Sequence, residues 1–152
     1  MLYQLRNLSE EEKSVVLKSP IWVTLLIACS DQNIEEGEID RAKEIMHIKS
    51  FATNTDVKDI YKELDAHIDD EIDIALKSLS ANGDERIKFI ESHLSKLNDI
   101  FPKMEGGFAK QLYKSLRSLA FNVAKSDGGF FGIGSINDQE EIYIKLPMLD
   151  KQ

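Results

Sequence analysis

Cysteine is nearly absent: Cys29 stands alone in 152 residues, which excludes an internal disulfide and makes a reducing, intracellular setting the expectation. Long apolar runs are missing too. The longest, residues 20–29, is about half of what a helix needs to span a bilayer, and the opening Met1-Leu2-Tyr3-Gln4-Leu5-Arg6 lacks the basic and apolar regions of a signal peptide. A cytoplasmic chain without a transmembrane segment is expected. Positive charge is in deficit, with 19 Lys and Arg against 27 Asp and Glu and a net charge of −8. That balance disfavours nucleic acid as a partner, because phosphate binding draws on counterion release by cations. No stretch alternates polar and apolar residues between turn signals, so a sheet has little support. Catalytic motifs are missing as well: there is no Gly-x-Ser-x-Gly, and the glycine-rich stretch 129–135 lacks the Lys that a phosphate-cradling loop places before its Ser or Thr.

What is present is helical periodicity. At this length and with 42% apolar residues, one domain around a single core is expected. Ser9-Glu10-Glu11-Glu12 is a capping box, which starts a helix running to about Lys18. Pro20 suits a first helical turn, so a second helix is expected over 21–29, apolar on nearly every side and therefore central. A third, over 35–51, presents Ile39, Ala42, Ile45 and Met46 on one face. The cluster at 53–55 separates it from a long fourth helix over 57–79, whose apolar residues recur at spacings of three and four. Asn82-Gly83 breaks that pattern, a fifth helix over 87–97 ends near Pro102, a sixth covers 108–123, and a last begins near Asn137 and stops at Pro147. The fold class is all-α: a single-domain bundle of about seven helices, with the second and sixth as central neighbours.

One short pattern occurs twice, 96 residues apart from Asp31 to Asp127. The first copy reads Ala28-Cys29-Ser30-Asp31-Gln32-Asn33-Ile34, then Glu38; the second reads Ala124-Lys125-Ser126-Asp127-Gly128, then Ile136 and Glu140. In each, Ala-x-Ser-Asp closes an apolar segment and an Ile stands four residues before a Glu that opens the next one. Such a repeat implies an internal pseudo-twofold duplication with a paired acidic centre. Apolar helix, Ala-x-x-Asp-(Gly)-x-Ile-x-x-x-Glu, then another helix resembles the tellurite-resistance TerB-like family, small all-helical domains that carry this signature in both halves. Gln32 stands where Gly is usual, and residues 129–134 are an insertion. The resemblance implies a non-catalytic binding or sensing module in stress response, with acids that hold a cation and an unidentified protein as partner.

The four acids Asp31, Glu38, Asp127 and Glu140 admit two readings. Brought together, they would repel unless a cation or proton neutralised them, and oxygen ligands suit Ca²⁺, Mg²⁺ or Mn²⁺. Kept apart, they serve as caps: Asn137-x-x-Glu140 is itself a capping box, and an Asp can close an Asx turn. Neither copy is an EF-hand, since from Asp31 the sixth and twelfth positions are Glu36 and Ala42. Glu44-x-x-His47 has half of a di-iron motif, but His67 and His93 supply no second Glu-x-x-His. His67 has Glu63 and Glu71 at four-residue spacing, which reads as a solvated helix face before a transition-metal site. Cys29, amid apolar neighbours, reads as a small buried hydrophobe. Lys110, Lys114 and Arg117 form a basic stripe. It is either a solvated face or a contact for a partner or the acidic patch of a second copy, a route to a homodimer. Acids are dense at 31–40 and again at 63–73, the latter with six and no Lys or Arg.

Overall fold

The computed structural model describes residues 3–30, 36–52, 56–105, 107–127 and 138–152. Among the described residues there are eight α-helices and no strand: α1 (Glu10–Ala28), α2 (Glu36–Ala52), α3 (Lys58–Asp65), α4 (Ile68–Lys77), α5 (Gly83–Ser95), α6 (Leu97–Ile100), α7 (Phe108–Asp127) and α8 (Asp138–Tyr143). Short 3₁₀ turns lie at Tyr3–Leu5 and Phe101–Lys103.

The predicted capping box forms. Ser9 Oγ accepts from the Glu12 N–H at 3.1 Å, and the Ser9 N–H donates to Glu12 Oε1 at 3.0 Å. The predicted restart at Pro20 does not occur, because α1 continues through it as one helix of 19 residues. Proline removes the N–H that would meet the carbonyl four residues back, here that of Val16. Ser19 Oγ donates to that carbonyl at 2.7 Å, so the break in the ladder is filled by the neighbouring hydroxyl. Beyond it, every residue from Ile21 to Cys29 is buried. The helix is central as its all-round apolarity predicts, with α2, α3, α4, α5 and α7 packed about it.

The predicted helix over 57–79 is two helices, with Ala66 and His67 between them. Apolar spacing cannot see this break, since Ile60, Tyr61, Leu64, Ile72 and Ala75 are all buried as one helix would require. Charge favours it. An unbroken helix would place Asp65 four residues before Asp69 on one face, where like charges repel. The break instead puts Asp69, Asp70 and Glu71 in the first turn of α4, where the helix dipole favours them. The predicted fifth helix is likewise interrupted at Lys96 and gives way to the 3₁₀ turn containing Pro102. At its start Asn82 caps α5 through the Glu85 N–H.

α7 lies against α1 and α2, burying Leu112, Leu116, Leu119, Ala120 and Val123. Polar ties join the chain entering α7 to the chain entering α1. Arg6 and Asn7 both bind Glu105, and Lys103 Nζ donates to Glu12 Oε2 at 2.7 Å. The two long helices therefore start at the same end of the bundle. After α8 the tail is held by Asn98, whose Nδ2 donates to the Met148 carbonyl at 2.9 Å while its Oδ1 accepts from the Asp150 N–H at 2.8 Å. Leu146 and Leu149 are thereby buried, Leu146 at φ 48°.

Candidate functional site

The two motif copies sit at matching points of the chain. Ala28 ends α1, and Glu38 is the third residue of α2; Ala124 lies near the end of α7, and Glu140 is the third residue of α8. The helices at the two copies end differently, for α7 continues three residues past its alanine to Asp127. Asp31 lies outside the described residues. Asp127 and Glu140 are described in their backbone placement alone, their side chains lying outside the described part.

Glu38 is the informative member. It is 5% exposed, and among the described residues it is the one buried carboxylate. Its neighbours on either side separate cleanly, Gly37 and Asp40 being exposed while Ile39 and Ala42 are buried with it. An ionised carboxylate so placed is costly unless hydrogen bonds, a proton or a cation compensate it. The far end of α2 is tied to the middle of α7. Lys49 Nζ donates to Ser118 Oγ at 3.3 Å, and burial holds the Lys49 ammonium below its usual pKa.

The other histidine-centred candidates do not assemble. Glu44 pairs with Arg41 at 3.3 Å, whereas His47 Nδ1 lies 2.9 Å from Asp65 Oδ2 on α3, so the two residues of Glu44-x-x-His47 serve different partners. His67 stands in the α3–α4 turn and not on a continuous helix face. It lines a groove with Glu63 and Glu71, the last of which faces Lys18 at 3.8 Å. Among the described residues no three His, Cys, Asp or Glu side chains converge as a metal site would require. Cys29 is fully buried, in keeping with a small core side chain.

Two features escape the sequence pattern. His93 stacks on Trp22, with ring centroids 4.5 Å apart and 10° between planes, and Phe89 meets both edge-on. Burial, with Lys96 and Lys18 nearby, holds His93 below its usual pKa. The second is a shallow groove between α7 and the tail that gathers Lys114, Arg117, Lys145 and Lys151. Helical spacing reveals the first two cations, but nothing local joins them to residues about thirty positions further on. Lys110, the third member of the stripe read from sequence, does not line the groove.

No protein-family model, no curated protein and no solved structure matches this chain. Among the described residues no helix is long and apolar enough to cross a membrane.

Proposed function

We propose that the chain is a non-catalytic binding module of TerB-like type, in which a divalent cation, Ca²⁺, Mg²⁺ or Mn²⁺, joins Asp31 and Glu38 to Asp127 and Glu140. The cation fixes the two corners, and with them the surface shown to a protein partner. The observation that carries this reading is the buried Glu38 carboxylate, supported by the direction of the helices. α1 and α7 start at one end, and α2 packs back against α1. From the Lys49–Ser118 tie, Glu38 lies eleven residues back along α2 and Asp127 nine residues forward along α7. Those spans are about 16 Å and about 14 Å of helix, and both run away from the shared starting end. Glu38 and the end of α7 are then at one level of the bundle, as a shared site needs.

One fact favours a plainer reading. Glu38 occupies the first turn of α2, where a carboxylate supports its own helix without any ion. Calorimetric titration with each cation, alongside thermal melts of the wild type, Asp31→Asn and Asp127→Asn, separates the two. The proposal expects a melting temperature raised by saturating cation in the wild type alone; melts indifferent to every cation leave the acids as helix joints.

A further inference from the structure

The groove between α7 and the tail inverts the sign of the molecule. Its volume is about 640 Å³, and its lining includes Lys114, Arg117, Lys145 and Lys151 and, among the described residues, no Asp or Glu, in a chain of net charge −8. Elsewhere Arg6, Lys13, Lys18, Arg41, Lys43 and Lys103 each pair with a carboxylate. Among the described residues none of the four groove cations forms an ion pair, although Arg117 lies over the Tyr113 ring at 5.8 Å. The nearest acids in sequence, Glu141 and Asp150, are exposed and do not line it. Phe121, 45% exposed, and Tyr113 give the groove apolar ground between the charges. The backbone that carries the cations is fixed: two stand one turn apart on α7, and two flank the segment anchored by Leu146, Leu149 and the Asn98 clamp. A fixed backbone lowers the ordering cost of binding.

We infer that this groove is a docking site for an acidic protein segment carrying an aromatic or large apolar side chain. Charge complementarity selects the occupant. Four unpaired cations attract carboxylates at short range, where the screening length of about 8 Å at physiological salt limits repulsion from the rest of the chain. Phe121 and Tyr113 take the apolar side chain. A nucleic acid would bring a long run of phosphates against the other acidic faces, and four cations release few counterions in return. The inference does not rest on the cation site, since no groove residue belongs to either acidic corner.

The test is fluorescence polarisation of the full chain, in EDTA, with a labelled short peptide of Asp and Glu around a central Phe. Binding is expected to weaken between about 50 and 200 mM salt. The double substitutions Lys114→Glu with Arg117→Glu, and separately Lys145→Glu with Lys151→Glu, are expected to weaken it at least about tenfold with the circular dichroism spectrum unchanged. The two pairs lie on different elements, so misfolding of one leaves the other to decide. Phe121→Ala should weaken the Phe peptide and leave its Phe-free counterpart unaffected. No binding by the wild type, equal binding by both charge-reversed proteins, or equal binding of a Lys-for-acid peptide would overturn the inference. So would oligouridylate displacing the peptide at equal charge, or self-association that the substitutions abolish, which would make a second copy the occupant. Because EDTA is present throughout, a negative result here leaves the cation proposal where it stood.

Discussion

Ser19 and Pro20 form a pair whose coupling can be measured. With Ser19→Ala the buried Val16 carbonyl loses its donor, and an unsatisfied buried group costs about 1–3 kcal/mol. With Pro20→Ala the backbone N–H returns and the hydroxyl becomes redundant, so Ser19→Ala in that background should cost much less. A double-mutant cycle read by denaturant melts checks this; equal costs in the two backgrounds would show that the hydroxyl does not act through the freed carbonyl. His93 supplies a second residue-level expectation. Its pKa is held down chiefly by burial, then by Lys96 and Lys18. The unfolded chain therefore takes up a proton that the folded chain resists, and stability is full above pH of about 6.5 and declines as pH falls through the unfolded value. Since Trp22 is the single tryptophan and stacks on His93, its emission should titrate with a midpoint below that of free histidine. His93→Gln should remove both the titration and that share of the stability loss.

At the level of elements, periodicity revealed which segments are helical and which faces are buried, because burial of Ile39, Ala42 and Met46 or of Leu112, Leu116 and Leu119 obeys local spacing. Joints were less legible. Pro20 reads as a helix start by local rules, yet the helix passes it, with the Ser19 hydroxyl on the freed Val16 carbonyl. The α3–α4 break is invisible in the apolar pattern and is favoured by the crowding of acids at 63–73. The tail was not legible at all: Asn98 reaches fifty residues along the chain to Met148 and fifty-two to Asp150, and no local rule anticipates such a clamp. Asn98→Ala should leave the bundle helical while the tail frays, at a cost of about 1–3 kcal/mol from two lost hydrogen bonds. Hydrogen exchange should then show protection lost over 144–150 alone; unchanged protection there would mean the buried leucines hold the tail without Asn98.

For the whole molecule, the ties that align α1 with α7 predict its response to acid. The hydrogen bond from Lys103 holds Glu12 below its usual pKa, and those from Arg6 and Asn7 do the same for Glu105. Acids with lowered folded values stabilise the fold above the ordinary glutamate value of 4.5, and that contribution is lost as pH falls toward the folded values. Lys103→Ala should flatten the melting temperature against pH in that range, and an unchanged slope would show that Glu12 contributes nothing there. The sequence singles out Glu38 by its place four residues after Ile34, and in the fold Glu38 is buried while Asp40 is exposed. It could not show that α1 and α7 share a starting end, which depends on contacts between residues about a hundred positions apart. The central claim is that a divalent cation joins the two corners. Its most direct test is the melting temperature of the wild type and of Glu38→Gln with and without Ca²⁺, Mg²⁺ or Mn²⁺ at about a hundredfold excess over the dissociation constant. The account predicts a rise of about 5–10 °C with at least one cation in the wild type, and none in Glu38→Gln. A wild type whose melting is unmoved by all three, or a Glu38→Gln protein that rises equally, would contradict it.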